Sequence, residues 1–366
     1  MEVFLPIVEV QINIVLFLVV SFLVGFLSGL FGVGGGFLMT PLLIFMGIPP
    51  AFAVANEANN ILASSSSGTL THWFKKTLDV KIGWLIIIGG MIGTFIGILT
   101  FSYFKGIGKI DIVIALAYMY VLAIIGSFML RDGLAELNLY KKKIVVKKKL
   151  HTHYWIHGLP FRMRFKTSQL YESALVPIFL GVIVGFVSAI MGVGGAFLMV
   201  PAMIYLIGMP TKLVPGTSLF VTIFVTGFVT ISHAFTYHTI DLMLVFILIA
   251  GSIAGVHVGQ KIGQKLDGSQ LKALLAVLML SVGLLMAYET FFKNGKGVAS
   301  LKVPTDKIAE IGELGNTIYN LSSQYPIVYG ILSIFIALSA GILVSYVRRQ
   351  ISKRINSPKA VPPKAI

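Results

Sequence analysis

Two glycine-rich stretches carry the residues best suited to bind an anion. Gly34, Gly35 and Gly36 interrupt one apolar segment, and Gly194 and Gly195 interrupt another. Glycine breaks helices and lets a ligand approach the backbone closely. A half-helix that begins just after such a break presents free N–H groups and the positive end of its dipole. We therefore predict that both stretches lie at a binding site for a small anion.

Polar side chains follow each glycine stretch, in the next apolar segment. The first half of the chain supplies Asn56, Glu57 and Asn59, and the second half supplies Thr217 and Ser218. Interrupted apolar segments at corresponding positions of two halves are the best sequence pointer to a transporter's binding site. We predict that these five side chains line the same site as the glycines.

A row of threonines extends this polar character along the second half. Thr222, Thr226 and Thr230 recur every four residues and therefore share one helix face. Such a face favours a polar pathway through the membrane. Hydroxyls in a membrane helix also bond back to their own backbone, and this alternative stays open from sequence alone.

Glu57 is the first candidate for coupling transport to protons. Ionisable groups inside membrane segments indicate function by default, and burial favours the neutral, protonated form of a carboxyl group. The alternative is that Glu57 lies in a first helical turn near the outer surface and favours the helix dipole. His257 occurs in one half only and is the second coupling candidate, although it is also compatible with simple packing between helices.

The elements that position these residues occur twice. Gly25–Pro41 and Gly185–Pro201 lie 160 residues apart (25 to 185). At that spacing the identical residues of the first copy are Gly25, Phe26, Ser28, Gly32, Val33, Gly34, Gly35, Phe37, Leu38, Met39 and Pro41. The repeat continues at a spacing of 162 residues, where Gly89, Gly93 and Gly97 match Gly251, Gly255 and Gly259. Glycines four residues apart share a helix face, so we expect both trios to be packing seams between helices.

Composition restricts the class of protein. The 366 residues are 56% hydrophobic and 12% charged, with a mean hydropathy of +0.90, which indicates a polytopic membrane protein. The absence of cysteine excludes disulfides and thiolate metal sites. We predict no cofactor and no metal, although His151, His153 and His157 share one loop, because no acidic or thiolate residue accompanies them.

Apolar runs define an all-α fold with two five-segment repeats, helices broken at the glycine motifs and one extra C-terminal helix. Since five is odd, the second repeat enters the membrane from the opposite side, so we expect the repeats to be inverted. The predicted regions are a transmembrane repeat at 1–130, a basic linker at 131–173, a second repeat at 174–291, an extracytoplasmic loop at 292–325 and a C-terminal helix with a basic tail at 326–366.

The net charge of +15 is concentrated in the linker and tail. Positive loops remain cytoplasmic, so we predict that both regions are cytoplasmic and contact anionic lipids of the cell membrane, a bacterial inner membrane, rather than nucleic acid. Lys105 then falls on the outside. Strands around Gly158–Pro160, including Phe161–Phe165, are compatible with a small β-hairpin.

The doubled motif resembles the sulfite exporter TauE/SafE family. The resemblance rests on both glycine motifs, the Gly-x-Pro after each of them and Pro215–Leu219, and it covers about 12–130 and 174–291. It implies a permease for sulfite or organosulfur anions and places Thr217 and Ser218 near the site. Asn56 and Glu57 depart from the Thr-Ser pair in the first half. Substrate, direction, coupling ion and oligomeric state are not predicted.

Three functions are compatible with these features. The first is a secondary transporter, not an enzyme, for a small anion. The second is an intramembrane hydrolase that uses Ser28 or Ser188 with His72 or His233, although a single catalytic dyad does not need two copies. The third is an anion channel. The absence of a Walker A motif argues against direct use of ATP.

The topology gives the first testable prediction. Reporter fusions at Lys148 and Gly295 should report opposite sides of the membrane, with Lys148 cytoplasmic, because the second repeat contains an odd number of segments. Fusions that report the same side would rule out inverted repeats.

Overall fold

The computed structural model describes residues 2–31, 36–141, 160–210, 212–237, 239–263, 268–292 and 313–356. The described helices are α1 Ile14–Phe31, α2 Gly36–Phe45, α3 Pro50–Phe74, α4 Val80–Gly106, α5 Ile110–Lys141, α6 Leu175–Met191, α7 Ala196–Tyr205, α8 Val214–Tyr237, α9 Leu242–Gly263, α10 Gly268–Phe292, α11 Glu313–Gln324 and α12 Pro326–Asn356. The described strands are β1 Glu2–Leu5, β2 Val10–Asn13, β3 Arg162–Phe165 and β4 Leu170–Ser173.

The protein is a polytopic all-α membrane protein. Within the described residues, 5 helices are long and apolar enough to cross a membrane: Val80–Gly106, Ile110–Ala135, Val214–Tyr237, Leu242–Gly259 and Pro326–Val347. α3 is also 25 residues long, but its many polar residues keep it out of this set. Those residues do not meet lipid, because α3 is buried without interruption from Ala53 to Thr69. A helix rich in polar residues is therefore enclosed by the rest of the protein.

The predicted segments correspond to α1–α10 and α12, with three differences. α5 continues to Lys141, beyond the predicted start of the linker at 131. α11 lies within the region predicted to be an extracytoplasmic loop, and its polar sequence gives no apolar run to mark it. β3 pairs with β4, so this hairpin turns at 166–169, whereas the predicted turn at Gly158–Pro160 lies mostly outside the described residues.

Contacts between the two halves occur in reciprocal pairs. α1 packs along α9 of the other half, and α6 packs along α4 in the same way. α3 packs against α8 and α5 against α10, which are each the other's counterpart in the repeat. Each contact made by a helix of the first half is thus repeated by its counterpart in the second half, as a two-fold relation between the halves requires. The inverted orientation in the membrane stays a prediction.

The glycine trios form the α4–α6 and α1–α9 contacts, as predicted. Added Cβ atoms on the first trio would strike the backbone of Ile178, Val182 and Phe186 in α6. On the second trio they would strike the backbone of Leu18, Phe22 and Phe26 in α1. Because these two sets of partners are themselves 160 residues apart (18 to 178), the same seam is built twice.

A hairpin precedes each repeat. β1 and β2 pair antiparallel, with Leu5 opposite Val10, and β3 and β4 pair antiparallel, with Phe165 opposite Leu170. These two pairs also lie 160 residues apart (5 to 165), so the duplication includes the hairpins. Sequence analysis missed the first hairpin, because four-residue strands give little periodic signal.

α12 breaks the symmetry of the pair. Asn59 Nδ2 donates to Ser333 Oγ over 3.2 Å, and Gly341 lets α12 approach Ala63 and Ser66 of α3 closely. At the repeat spacing of 161 (56 to 217), the matching face of α8 is formed by Phe220, Phe224 and Gly227. There Trp84 packs on the two phenylalanines, with ring centroids 6.0 and 5.2 Å apart. Thus α12 covers one central helix and an aromatic cluster covers the other.

The seams make a testable prediction about stability. Gly93→Ala should destabilise the protein by about 1–3 kcal/mol, the usual cost of overpacking, because its Cβ would meet the Val182 backbone. Gly106→Ala, on the same helix, is the control, since an added Cβ there meets nothing within 4 Å. Thermal unfolding of the two purified variants in detergent measures the difference. Equal melting temperatures would show that the close approach is not needed for stability.

Candidate functional site

The second glycine motif forms the break between α6 and α7. Gly192, Gly194 and Gly195 have φ angles of 69°, 67° and 69°, in the left-handed region that favours glycine. Gly192 ends α6, with its N–H donating to the Ser188 carbonyl oxygen over 2.8 Å, and Gly195 caps the start of α7. The break is therefore a backbone turn that only glycine adopts without strain, and it directs the N-terminus of α7 inward.

Gly194 lies between the two central helices. An added Cβ would meet Ile61 of α3 and both Thr222 and Thr226 of α8, all within 3.0 Å. Thr222 Oγ1 donates to the Gly194 carbonyl oxygen over 3.4 Å. The predicted threonine face thus lies against the break.

The back-bonding alternative holds for two members of the threonine row, and the polar pathway stays a prediction. Thr222 Oγ1 also donates to the Ser218 carbonyl oxygen over 2.8 Å, and Thr226 Oγ1 donates to the Thr222 carbonyl oxygen over 2.7 Å. These two hydroxyls bond back to their own helix. Thr230 Oγ1 is buried and has no hydrogen-bond partner among the described residues. The row is consequently a polar surface with one open position.

The first glycine motif is described only in part. Gly36 begins α2. Gly34 and Gly35 lie outside the described residues, and so do His151, His153 and His157 of the linker. Within the described part of the chain, no group of three or more His, Cys, Asp or Glu side chains has the geometry to hold a metal ion.

Asn56 and Thr217 perform the same structural task. Asn56 Oδ1 accepts the backbone N–H of Asp241 over 2.7 Å, and Thr217 Oγ1 accepts the backbone N–H of Asp79 over 3.0 Å. Each residue therefore holds the start of a helix from the opposite half. Asn56 Nδ2 also donates to the Thr239 carbonyl oxygen over 3.1 Å.

The two aspartates extend each of these contacts to a hairpin. Asp241 Oδ2 accepts the Ile7 N–H over 2.9 Å, and Asp79 Oδ2 accepts the Ser168 hydroxyl over 2.6 Å. The Oδ1 atom of each aspartate caps its own helix, α9 or α4. We call these two arrangements the aspartate latches. Each latch joins a helix start, a hairpin turn and a central helix, with charge-assisted hydrogen bonds.

Two other predicted site residues also have partners inside the protein. Ser218 Oγ donates to the Pro215 carbonyl oxygen over 3.0 Å, and Asn59 bonds Ser333 of α12. The structure thus gives Asn56, Asn59, Thr217 and Ser218 contacts within the fold. Their part in binding an anion stays a prediction.

Glu57 is buried, with 1% of its surface exposed. It is not an exposed residue of a helix terminus, as one interpretation of the sequence had it. Asn60 Nδ2 donates to Oε1 and Oε2 of Glu57 over 3.3 and 3.1 Å. Asn60 Oδ1 in turn accepts the Ser252 hydroxyl from α9. A polar chain therefore connects the carboxyl group on α3 to the seam helix of the other half.

His233 is fully buried on α8. Its Nε2 atom lies 3.2 Å from the Ala189 carbonyl oxygen, and its ring packs edge-on against Phe101 with centroids 4.8 Å apart. His72, its counterpart, instead has Nδ1 2.8 Å from Thr77 Oγ1. His257, the second coupling candidate, is half-buried on α9.

Sequence reasoning missed Asn60, Ser252 and Tyr118 as members of the centre. Tyr118 of α5 donates its hydroxyl to the Met191 carbonyl oxygen over 2.7 Å, beside the α6–α7 break. The run of asparagines was the available signal for Asn60. Nothing in the sequence marks Ser252 or Tyr118, because their partners are distant along the chain.

A comparison with protein families decides the classification. Residues 17–286 match the model of the sulfite exporter TauE/SafE family. The chain belongs to that family. Residues 280–350, which include most of α12, also match the model of a putative transmembrane protein, Alph_Pro_TM. The helix that breaks the symmetry of the TauE/SafE repeats thus lies mainly beyond the part of the chain that matches this family.

Relatives of this TauE/SafE chain carry transporter names. It is 25% identical to the probable membrane transporter protein YunE of Bacillus subtilis over 288 residues, covering 76% of this chain and 99% of that protein. It is 29% identical to the probable membrane transporter protein YjnA of the same organism, covering 63% and 82%. It is 32% identical to the probable membrane transporter protein MJ0441 of Methanocaldococcus jannaschii, covering 51% and 60%. No solved structure matches.

The α6–α7 break gives the next prediction. Gly194→Leu should abolish anion uptake without preventing membrane insertion. The leucine side chain would strike α3 and α8, and the φ angle of 67° at this position disfavours any residue but glycine. Gly194→Ala should reduce uptake for the same reason. Gly227→Ala on α8 is the control, because its added Cβ makes an ordinary 3.4 Å contact with Leu62. Normal uptake by both Gly194 variants would mean that the motif serves packing alone.

Proposed function

We propose that this protein is a secondary permease that moves a small anion, sulfite or an organosulfur anion, across the cytoplasmic membrane, coupled to protons, and that it is not an enzyme. The observation that carries the proposal is the α6–α7 break, which brings a helix N-terminus and left-handed glycines to the contact of the central helices α3 and α8. The membership of a family with transporter relatives supports it.

The chemistry of the break suits an oxyanion. Backbone N–H groups at a helix start are donors, and a helix N-terminus attracts negative charge. Asn56 joins α3 to the start of α9, and Thr217 joins α8 to the start of α4, so both helices beside the break are held by the opposite half. Backbone donors that are fixed before an anion arrives need no rearrangement to bind it.

Glu57 is the proposed coupling residue. Its carboxyl group has an amide donor in Asn60, and the Asn60–Ser252 contact links it to α9. A proton gained or lost on this carboxyl changes the charge at the contact between the halves. An ionised Glu57 repels an anion nearby, whereas a protonated Glu57 does not, so the two ligands act on each other.

The orientation completes the proposal. The basic linker and the C-terminal tail are cytoplasmic and contact anionic lipid headgroups, and the two repeats are inverted in a bacterial inner membrane. The lysines of the linker give the physical reason, since positive segments remain on the cytoplasmic side. No nucleic-acid partner is proposed.

The geometry favours a permease over an intramembrane hydrolase. Ser188 Oγ has no hydrogen-bond partner among the described residues. His72 is engaged with Thr77, and His233 Nε2 is engaged with a backbone carbonyl. A serine nucleophile needs a base within hydrogen-bonding distance, and the described residues do not form this pair.

One reconstitution tests both the function and the coupling. Purified protein in liposomes is given sulfite, sulfoacetate, taurine, thiosulfate or acetate, with and without a pH gradient. The parent should move at least one sulfur-containing anion, faster with the gradient. Glu57→Gln, which mimics the protonated carboxyl group, should retain anion exchange but lose the effect of the gradient.

The controls separate the two claims. Asn59→Ala should retain the gradient effect, because Asn59 bonds α12 and not the carboxyl group. If Glu57→Gln responds to the gradient like the parent, Glu57 is not the coupling residue and His257 is tested in its place. If the parent moves none of the anions, the proposed substrate class is wrong.

A further inference from the structure

The ring of His233 is held in one protonation pattern by its backbone contact. Nε2 lies 3.2 Å from the Ala189 carbonyl oxygen, and a carbonyl oxygen only accepts hydrogen bonds. Nε2 must therefore carry the hydrogen. In the neutral ring Nδ1 is then a bare acceptor, and this atom is buried with no partner among the described residues.

Two further buried hydroxyls without partners lie on the two helices that meet at His233, α6 and α8. Ser188 on α6 adjoins Ala189, and Thr230 is one helical turn before His233 on α8. Both hydroxyls are buried and unbonded within the described part of the chain. Unpaired buried polar groups are costly, and a local group of three needs an explanation. Since Gly192 N–H bonds the Ser188 carbonyl oxygen, this group directly adjoins the α6–α7 break.

We propose that the transported anion and a proton bind together at this place. The proton binds Nδ1 of His233, the resulting imidazolium pairs with the anion, and the hydroxyls of Ser188 and Thr230 donate to the anion's oxygens. This inference rests on the proposed function, and it adds the residues that balance the substrate's charge. His233 sets the pH dependence of anion affinity at equal pH on both sides, whereas Glu57 keeps its proposed part in the response to a pH gradient, because a protonated carboxyl group is neutral and cannot neutralise an anion.

The surroundings of His233 contain few other charges. α6 has no ionisable residue in its sequence, and α3 has only Glu57 and His72. On α4, Lys105 Nζ lies 4.2 Å from the centre of the Tyr237 ring, whose centre is 5.4 Å from that of the His233 ring. Among the described residues, no carboxylate is hydrogen-bonded to His233. An imidazolium here therefore requires a negative partner, and the anion supplies it.

The pairing makes the two binding events reinforce each other. A lone anion or a lone imidazolium in a buried site bears the full cost of desolvation, whereas a hydrogen-bonded pair offsets much of it. Each ligand then raises the affinity for the other by the same factor. Half-buried Lys105, which contacts the neighbouring Tyr237 ring, is a positive charge that attracts anions toward this place.

His72 supplies a matched control within the chain. It is the repeat counterpart of His233, but its Nδ1 already has a partner in Thr77 Oγ1. Thr239 is the repeat counterpart of Thr77, and its hydroxyl is buried and has no partner among the described residues. The second half therefore lacks a counterpart of the His72–Thr77 contact. The same substitution at either histidine therefore removes one imidazole, and only one of the two rings has the open Nδ1.

The test measures substrate affinity and proton uptake in proteoliposomes, with the anion that the parent transports. In the parent, KM should rise about tenfold per pH unit above the titration of the ring, since one proton accompanies each anion. His233→Gln should raise KM about tenfold or more at the lower pH and remove the pH dependence. His72→Gln should keep the parent's profile.

Proton uptake gives a second measurement, which would not change if His233 served only to stabilise the fold. Adding the anion to weakly buffered detergent-solubilised parent or His72→Gln protein should take up protons, seen with a pH indicator, and His233→Gln should take up fewer. If the parent transports and His233→Gln retains both the pH profile and the uptake, this inference is wrong and the proposed function stands. If the parent transports nothing, the proposed function itself has failed.

The hydroxyls are tested separately, in case His233→Gln does not fold. Ser188→Ala and Thr230→Val leave the ring in place and should each raise KM by about threefold to tenfold, the usual effect of one lost hydrogen bond, with an unchanged pH profile. Thr226→Val is the control on the same face, since its hydroxyl already bonds the Thr222 carbonyl oxygen. Parent-like KM values in both variants would overturn the site.

Discussion

The close approach of backbones at the two glycine seams is the constraint on which the rest of the structure depends. α1 lies so near α9, and α6 so near α4, that a single Cβ would strike a main-chain carbonyl. In lipid, where burying apolar surface drives little association between helices, this contact of small residues is a main source of attraction. The seams cross between the halves, so neither half folds around its own core alone. The central helices α3 and α8 are enclosed as a result and can carry polar residues that lipid would not tolerate.

The aspartate latches fix what the seams enclose. Each buried carboxylate accepts hydrogen bonds from backbone N–H groups at a helix start, which have no partner within the helix, and from backbone N–H groups of a hairpin turn. Because the backbone N–H of the same aspartate bonds a central helix, α3 and α8 are held at their N-terminal ends by the opposite half. Further along, near the α6–α7 break, three buried polar groups have no hydrogen-bond partner among the described residues: Ser188, Thr230 and Nδ1 of His233.

Much of this fold was predictable because its signals are local. The glycine spacing predicted the seams, and the apolar runs predicted the membrane helices. The repeat alignment correctly paired Asn56 with Thr217, but it did not reveal their task, since the partner of Asn56 is a backbone N–H 185 residues away. The burial of His233 was not predictable for a similar reason. Its burial depends on α4 and α6, and the sequence near a helix end resembles that of an interfacial residue. The hairpin strands have four residues each, too few for periodicity to decide.

The single added helix has a consequence for the energy landscape. α12 contacts α3 through Asn59, Ala63 and Ser66, whereas the matching surface of α8 carries Phe220 and Phe224. In a strictly two-fold molecule, a motion that exchanges the conformations of the halves connects two states of equal free energy. Here the exchange leaves α12 against a differently shaped α3, so the two end states differ in free energy. The molecule therefore has a preferred resting conformation that its own sequence sets, even with identical solutions on both sides of the bilayer.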